Sequence, residues 1–539
     1  MNPRVQSLIA RVPLLGSVSF FVLFVVAPIV AMYWQTFWYE ERFTFELWGD
    51  FLQKPDDREA IWKSIRMGLL ATGIAGVVGT SLAWFTTRTD LPGRSIFAVF
   101  GVAPLVVPPI VLAMSWSDFA DMNGFFGCSS LLAISNTPFV YVLARRGLTH
   151  FDGHAYEAAR LARGRSAAER MLLRSALPEI GAGCLFAFVF VVCEHGTPEF
   201  LTVKGKTWIT YAERVYGLWG KSAIGVDRRD LLSPIIASLP LVLLILTALF
   251  AALQLRARTD LRSDPAPLPT RSLRRLRPVG VLTCVAFLGV SLIVPLVVMV
   301  RWGMGSTQKV EPMSIARLQR SFEQAYDQDL SAVVNSLTLG VFVAITLVLF
   351  AWPLARATAR RRGRLEGLSL LGLAVPVVLF GSGQVLIWNS SFANDVLREN
   401  GVDLYDSFVL VVLGFAGRFL PFAVLTLCTV TRRVSPAVDE AARSSGRGPV
   451  ARALRLHLPL GLPAAASAAY LGYVLALREL DLAAMLPAGN DTVVRRVSNI
   501  VHFGGEEPGS ALILTILLAA ILPAALHWIL TGRRMRGLS

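Results

Sequence analysis

The sequence predicts an all-α, polytopic membrane protein with about twelve transmembrane helices in two tandem six-helix halves. The first observation is composition: 54% of the 539 residues are hydrophobic, only 17% are charged, and the mean hydropathy is +0.56. A soluble chain carries about 25% charged residues. The second observation is a series of long apolar stretches, and the third is a set of short motifs that recur in the same order in both halves.

A transmembrane helix needs about 20 mainly apolar residues in succession. Stretches of this kind in the first half are Val12–Thr36, Ile65–Thr87, Ser95–Trp116, Gly124–Ala144, Ile180–Leu201 and Leu231–Leu255. Those in the second half are Val279–Val300, Ala332–Ala355, Leu368–Trp388, Ser407–Val430, Pro463–Leu486 and Ser510–Leu530. The first stretch is too long for the apolar core of a cleaved signal peptide, so we expect it to be retained as a span.

The predicted halves cover residues 1–255 and 278–539, and a linker over residues 256–277 joins them. The linker contains seven Arg and three Pro residues. A segment of this composition is not expected to bury an apolar face. We therefore predict that it is an exposed cytoplasmic connector.

The net charge of +15 is high enough to suggest a nucleic-acid-binding protein. The Arg and Lys residues, however, cluster in alternate loops, in the linker and in the C-terminal tail, whereas the loop at 37–62 is rich in acidic residues. Cytoplasmic loops of membrane proteins carry an excess of Lys and Arg. This pattern predicts that both termini are cytoplasmic and that the chain contacts a lipid bilayer and no nucleic acid.

The two halves share short matches in the same direction. Ser64, Gly68 and Pro104 precede Ser336, Gly340 and Pro376 by 272 positions each. A second set of matches, which includes Pro138 and Pro421, has a separation of 283 positions. The change in separation predicts about eleven additional residues in the second half, around residues 389–404.

The clearest repeat lies between the fourth and fifth predicted spans of each half. The first copy, in a loop at about residues 151–178, comprises Glu157, Ala158, Ala159, Gly164 and Pro178. The second copy, in a loop at about residues 434–460, comprises Glu440, Ala441, Ala442, Gly446 and Pro459. We call these two segments the first and second Glu-Ala-Ala loops.

The motif predicts a helix, a glycine turn, a second helix and a proline that opens the next span. Glu is favoured at the positive end of a helix, Gly tolerates the left-handed conformation that ends one, and Pro fits a first turn. The paired alanines leave a low surface that a cytoplasmic protein could approach closely. The alternative is an amphipathic connector on the membrane surface, but two copies at the same topological position favour a protein-binding element.

Both loops resemble the EAA loop of ATP-binding cassette (ABC) importer permeases, although the first has two additional residues. The resemblance implies the type I ABC importer permease fold in a bacterial inner (plasma) membrane. It also implies two partners: two copies of a cytoplasmic ABC ATPase that dock on the loops, and a periplasmic or lipid-anchored solute-binding protein.

Further segments resemble the iron(III) and thiamine branch of these permeases. They are Asn136–Tyr141, Glu194–Pro198, Arg418–Pro421 and Arg478–Leu480. This resemblance implies ferric iron as the transported solute and leaves thiamine and phosphonates open.

Seven polar residues in or beside the predicted spans are candidates for the translocation path, because ionisable groups are costly in lipid and often functional. They are Glu194, His195, Thr197, Arg418, Arg478, Glu479 and Asp481. In a functional interpretation they line a polar path between the halves. In a structural interpretation they pair with one another or reach the interface, and for Arg418 we favour hydrogen bonds to backbone carbonyls.

The sequence contains no nucleotide-binding motif, because Gly220-Lys221-Ser222 lacks the glycine that a phosphate loop requires five residues earlier. We therefore expect a transport subunit that is not an enzyme and binds no cofactor, with ATP and Mg on the partner ATPase. His150 and His154 have a metal-ligand spacing but no third ligand, so we predict a solvated helix face and no metal site. An ion-gradient-driven secondary transporter acting through Glu194, Glu479 or Asp481, or a membrane scaffold, remains an alternative.

Overall fold

The computed structural model describes residues 3–39, 42–46, 48–49, 56–203, 209–222, 228–257, 268–305, 312–360, 366–431, 436–486, 491–503 and 506–536. Helices dominate this part of the chain, as predicted. The described strands form a single small hairpin, in which Trp38–Tyr39 pairs with Arg42–Phe43 in antiparallel register. The all-α prediction is therefore confirmed.

Nine helices among the described residues are long and apolar enough to cross a membrane. The predicted span Ser95–Trp116 consists instead of two helical segments, Arg94–Val106 and Pro109–Ala120, which meet at 94°. The predicted span at Leu368–Trp388 contains two short helices, Leu371–Ala374 and Val377–Trp388, whereas the predicted span Ser510–Leu530 lies within the continuous helix Glu506–Arg536. The chain is thus a multi-pass membrane protein, and two of its predicted spans, Ser95–Trp116 and Leu368–Trp388, are broken helices.

The residues divide by contacts into two compact units, and the first comprises Met1–Gly49 and Ser331–Arg495. Its helices are Pro3–Phe21, Val22–Val26 (π), Ala27–Phe37, Glu366–Ser369, Leu371–Ala374, Val377–Trp388, Ser391–Arg398, Phe408–Thr431, Pro436–Ser444, Pro449–Arg452, Ala453–His457 (π), Leu458–Arg478 and Asp481–Met485.

The second unit comprises Asp50–Leu330 and Arg496–Ser539. Its helices are Asp56–Arg88, Arg94–Phe100, Ala103–Val106 (3-10), Pro109–Ala120, Gly124–Thr149, Gly153–Arg163, Arg165–Cys193, Gly196–Val203, Tyr211–Ser222, Arg228–Ala237, Leu239–Ala257, Arg274–Leu276 (3-10), Arg277–Leu288, Gly289–Ile293 (π), Val294–Gly303 and Glu506–Arg536.

The boundary between the units does not coincide with the predicted linker. Two helices, Ile315–Arg360 and Val493–Phe503, contain residues of both units. The first of these has a non-helical residue, Asp329, where its direction changes. The predicted halves are defined by the sequence repeat and not by contact, so they stay a prediction.

The C-terminal end of the linker is not a bare connector. Leu273 is 7% exposed and belongs to an apolar cluster that Leu268 also contacts. The prediction that the linker buries no apolar surface is therefore wrong for its last ten residues, 268–277. The buried Leu273 contributes about 2 kcal/mol and the half-buried Leu268 contributes less, so these two leucines help to hold the end of this Arg-rich segment on the protein core.

One repeated serine makes the same hydrogen bond in each unit. In the second unit, Ser64 Oγ accepts a hydrogen bond of 2.8 Å from the backbone N–H of Tyr211, which begins a helix. In the first unit, Ser336 Oγ accepts one of 2.9 Å from Val493, which also begins a helix. The first N–H groups of a helix lack helical partners, so each serine satisfies such a donor from a distant segment.

Gly68 and Gly340 also have equivalent surroundings. A Cβ on Gly68 would lie 2.6 Å from the ring of Phe188, and one on Gly340 would lie 2.7 Å from the ring of Tyr473. These two aromatic residues are 285 positions apart, which is also the separation of Pro178 from Pro463. The match of Pro178 with Pro459 in the sequence repeat is therefore shifted by one helical turn.

The proline match in the third and ninth predicted spans also needs correction. Pro376 precedes the helix Val377–Trp388 with φ −50° and ψ 146°. The residue with the same role in the second unit is Pro108, which precedes Pro109–Ala120 with φ −57° and ψ 140°. Pro104 lies instead in a 3-10 turn. A proline disfavours helical geometry in the residue before it, and both helices therefore start afresh at this point.

Candidate functional site

The first Glu-Ala-Ala loop has the predicted course of helix, glycine turn and helix. The helix Gly153–Arg163 is capped by Asp152, whose carboxylate accepts a 3.0 Å hydrogen bond from the backbone N–H of His154. Gly164 has φ +80°, and the next helix begins at Arg165. Open space surrounds Gly164, and Leu161 is 86% exposed, so this end of the loop presents a bare surface.

The second Glu-Ala-Ala loop follows the same course. The helix Pro436–Ser444 ends near Gly446, which has φ +72°, and a short helix, Pro449–Arg452, follows. Ala441 is exposed and Ala442 is half-buried. The helix, the glycine turn and the second helix are thus present in both copies.

Two details of the predicted loops are wrong. Glu157 and Glu440 are each the fifth residue of their helices and not in the first turn, and in the first loop Asp152 takes the capping position. Glu157 is bonded to Arg160 one turn later, at 3.2 Å. Neither proline opens a span: Pro178 lies inside the helix Arg165–Cys193, and Pro459 follows the π-helical segment Ala453–His457, with which the helix Leu458–Arg478 is continuous.

Glu194 and Glu479 occupy equivalent positions in the two units. Each is the first non-helical residue after a membrane-length helix, with ψ 126° for Glu194 and ψ 110° for Glu479. Each carboxylate then accepts a hydrogen bond from the N–H three residues later, from Thr197 at 3.4 Å and from Leu482 at 3.5 Å. Each glutamate therefore lies two residues before a short helix and accepts a hydrogen bond from an N–H of its first turn, a role that neither of the two sequence interpretations anticipated.

Polar and aromatic side chains surround the break in the second unit. The hydroxyl of Thr197 contacts the Glu194 carboxylate at 3.3 Å, and the buried ring of His195 stacks on Tyr216 with centroids 4.1 Å apart. Glu213 accepts a 2.5 Å hydrogen bond from the N–H of Thr210. The structure therefore brings together three of the predicted path residues, Glu194, His195 and Thr197.

Burial raises the pKa of Glu213 to about 7, and the negative charge of Glu199 adds to the effect. The hydrogen bonds from Thr210 and the proximity of His195 act in the opposite direction and are weaker. Glu213 belongs to the helix Tyr211–Ser222, which is not one of the candidate membrane spans. Glu213, whose pKa lies near neutral pH, could not be identified from the sequence. Its burial depends on helices that are distant along the chain.

Arg418 has the structural role that we favoured. It is 2% exposed, and its guanidinium donates hydrogen bonds to the carbonyls of Gly372 and, at 2.6 Å, of Val375. These carbonyls belong to the end of the short helix Leu371–Ala374, where the break at Pro376 removes the usual helical donors. Arg418 thus holds a broken span together.

The other predicted path residues lie at one helix break of the first unit. Arg478 ends the helix Leu458–Arg478, and Asp481, which is 7% exposed, begins the helix Asp481–Met485. Arg478, Glu479 and Asp481 therefore lie together at the turn between these two helices.

Sequence reasoning missed two donors that act on π-helical bulges. The bulge Val22–Val26 precedes Pro28, which cannot donate to the carbonyl of Phe24, and Gln384 Nε2 donates to that carbonyl at 2.7 Å. The bulge Gly289–Ile293 also precedes a proline, Pro295, which cannot donate to the carbonyl of Val290, five residues before it in the i−5 pattern of a π-helix. There Trp116 Nε1 donates to the carbonyl of Val290 at 2.9 Å.

The geometry defines a class: a multi-pass membrane protein with repeated broken spans and two repeated, glycine-hinged loops. No model of a protein family matches the chain. The Fe(3+)-transport system permease protein FbpB 2 of Haemophilus influenzae is 22% identical over 87% of this chain and 89% of the relative. The probable ABC transporter permease protein y4fN of Sinorhizobium fredii is 23% identical over 89% of this chain and 88% of the relative.

A shorter relative shows the family most directly. The putative ABC transporter permease protein ORF1 of Streptomyces antibioticus is 30% identical over 38% of this chain and 86% of the relative. Other short relatives are named for the transport of trehalose, sulfate and molybdenum. The chain belongs to the ABC transporter permeases, and it is a permease subunit of an importer.

Proposed function

We propose that this chain is the fused permease of an ABC importer that carries ferric iron across a bacterial inner membrane. The observation that carries the proposal is the pair of Glu-Ala-Ala loops, each a short helix with exposed alanine surface that ends at a glycine of positive φ. Each loop receives one copy of a separate ABC ATPase, which binds the ATP and Mg. The permease subunit itself binds no cofactor.

The geometry of the first loop supports this role. Its helix is fixed at one end by the Asp152 cap, while Leu161 and the segment around Gly164 remain exposed at the other. An exposed leucine beside small residues is suited to a shallow groove on a partner protein. The helix Arg165–Cys193 runs without interruption from this surface into the membrane, so a displacement of the loop reaches the break at Glu194.

The helix breaks at Glu194 and at Glu479 would each offer polar groups to the transported solute. Their carboxylates, with His195, Arg478 and Asp481, supply the polar groups that a hydrated ion needs in an apolar bilayer. A solute-binding protein on the outer side would deliver the solute. Ferric iron is supported by the name of a relative that matches over 87% of the chain, whereas the shorter relatives named for other solutes match over less than 40%.

The docking role is tested in proteoliposomes that contain the purified permease with its ATPase and binding protein. We expect Glu157→Lys and Glu440→Lys each to weaken ATPase binding and the double variant to abolish binding-protein-stimulated ATP hydrolysis. Glu399→Lys, at an exposed helix end outside both loops, is the matched control. Hydrolysis that is unchanged in the double variant contradicts the docking role.

The solute and the energy source are tested in the same vesicles. We expect uptake of Fe(III) to require ATP and the ATPase, and to exceed uptake of thiamine delivered by the same binding protein. Uptake that continues without the ATPase and stops when an uncoupler is added indicates a secondary transporter instead. ATP-driven uptake of thiamine and not of Fe(III) contradicts the solute and leaves the permease role intact.

A further inference from the structure

The returning end of the linker is bonded to the turn after the second predicted span. Thr89 pairs with Arg271 as an isolated parallel bridge. The N–H of Arg271 donates to the carbonyl of Arg88 at 2.7 Å, and the N–H of Asp90 donates to the carbonyl of Arg271 at 3.0 Å. We call residues 88–90 and 271–277 together the linker clasp.

The carboxylate of Asp90 is the centre of the linker clasp. It accepts hydrogen bonds from the N–H of Leu273 at 2.8 Å, from the hydroxyl of Ser272 at 3.0 Å and from Nη2 of Arg277 at 2.7 Å. The Arg277 guanidinium, followed by the Leu273 N–H, lowers the pKa of Asp90 to about 2. The carboxylate is therefore ionised throughout the physiological range, and it joins three residues that lie more than 180 positions away along the chain.

The linker clasp is in turn packed against the first Glu-Ala-Ala loop. The guanidinium of Arg88 lies over the ring of Tyr156, 5.3 Å from its centroid. Tyr156 is 3% exposed and donates its hydroxyl hydrogen bond to Glu169, in the helix on the other side of the glycine turn, at 3.0 Å. Tyr156 and Leu273 belong to the same apolar cluster, which also contains Phe287 of the span that follows the linker.

These contacts form an unbroken series from the loop helix to the helix Arg277–Leu288. Tyr156 contacts Arg88, the backbone of Arg88 is bonded to Arg271, and Asp90 binds both Leu273 and Arg277. The buried face of the loop helix is engaged with the linker clasp, while Leu161 on the same helix is exposed. One helix therefore has one face available to a partner and one face bonded to a second span.

We propose that Asp90 is a positioning residue, which makes the first Glu-Ala-Ala loop and the helix Arg277–Leu288 move as one body when the ATPase displaces the loop. This role rests on the proposed function of the loop. It assigns to the linker a mechanical part in coupling, beyond that of joining two halves. A variant that loses the linker clasp would still bind the ATPase through the exposed face and would transmit its movement poorly.

The test compares Asp90→Asn and Arg277→Gln with Glu59→Gln, which removes the charge of another helix-end carboxylate that is ion-paired to Lys63. In the full complex with ATPase, binding protein and Fe(III), we expect Asp90→Asn to lower the Fe(III) transported per ATP about fivefold. ATPase affinity is expected to be unchanged. Hydrogen exchange of the Leu273 amide should accelerate about tenfold in the same variant, and Asp90→Glu should restore part of both values.

The possible outcomes separate the two proposals. A wild-type chain that shows no ATPase-dependent transport removes the proposed function, and the positioning role with it. A wild-type chain that couples transport to hydrolysis, together with Asp90→Asn and Arg277→Gln chains that exchange faster at Leu273 but couple equally well, overturns the positioning role alone. Should Asp90→Asn fail to fold, Arg277→Gln removes the same ion pair while the two neutral hydrogen bonds to Asp90 remain.

Discussion

The two π-helical bulges solve one backbone problem with different side chains. In the first unit the carbonyl of Phe24 receives the amide of Gln384, and in the second the carbonyl of Val290 receives the indole N–H of Trp116. Both donors lie eight residues after a proline that starts their helix, Pro376 or Pro108. The repeated features are therefore the bulge before a proline and the position of the donor in its helix. The carbonyl that receives the donor differs by one residue, since it lies four residues before Pro28 and five before Pro295.

The broken spans differ more deeply between the units. In the first unit the buried charge of Arg418 satisfies the carbonyls before the break. In the second unit a 3-10 turn does so from the backbone, since the N–H of Val107 donates to Pro104 at 3.2 Å and that of Leu105 donates to Val102 at 3.1 Å. One break depends on a single long side chain and the other on its own main chain, so the first is expected to be the more sensitive to substitution.

The largest effect is expected for Arg418→Met. The substitution leaves the Gly372 and Val375 carbonyls without their guanidinium donors in an apolar interior, which we expect to cost about 3 kcal/mol of unfolding free energy. Denaturant or thermal unfolding in detergent measures the change. Arg320→Met, at an exposed arginine, is the matched control and should change stability by less than about 0.5 kcal/mol. Equal losses in Arg418→Met and Arg320→Met would show that the break in the first unit does not depend on the Arg418 guanidinium.

The next effect concerns pH and arises only in the second unit. The pKa of Glu213 is raised from 4.5 to about 7 in the folded chain, so the folded state holds this proton more tightly than the unfolded state. The contribution of Glu213 to stability is therefore largest below about pH 4.5, and it falls by about 3 kcal/mol as the pH rises through 7. Glu213→Gln should flatten this part of the profile. A profile that is identical in wild type and Glu213→Gln contradicts the shifted carboxyl.

The bulge donors should contribute similar amounts, because each replaces one missing backbone bond. Gln384→Leu and Trp116→Phe are each expected to lose about 1 kcal/mol of unfolding free energy. A double variant gives the sharper test. Pro28→Ala restores an N–H that can serve the Phe24 carbonyl, so Gln384→Leu should cost less in that background. Strictly additive losses would show that the Gln384 amide is not compensating for Pro28.

The elements that sequence reasoning located correctly are those with a local cause. Gly164 and Gly446 mark turns because positive φ favours glycine, and a proline marks each broken span because it lacks an N–H. It was harder to predict which proline of the first half corresponds to which proline of the second. Pro104 and Pro108 lie four residues apart in the same apolar stretch. Only the backbone angles identify Pro108 as the equivalent of Pro376.

The partners of these elements have no local signal. Trp116 and Val290 are 174 positions apart, Gln384 and Phe24 are 360 apart, and Asp90 and Arg277 are 187 apart. Asp90 was not a candidate because an acidic residue in a polar turn is ordinary, and the leucines that return the linker to the core are few among its arginines. Contacts of this separation follow from the packing of the helices and cannot be deduced from spacing.

The smallest expected effect is also the strictest test of equivalence between the units. Ser64→Ala and Ser336→Ala each remove one acceptor for the first N–H of a helix, from Tyr211 and from Val493. Each should cost about 1 kcal/mol, and the two losses should agree within about 0.5 kcal/mol, because the bonds differ in length by only 0.1 Å. Ser467→Ala, at an exposed serine whose hydroxyl bonds within its own helix, is the control and should be nearly neutral. Losses that differ by more than about 1 kcal/mol would mean that the same hydrogen bond has unequal surroundings in the two units. The repeat would then extend to the backbone geometry but not to the stability that each bond contributes.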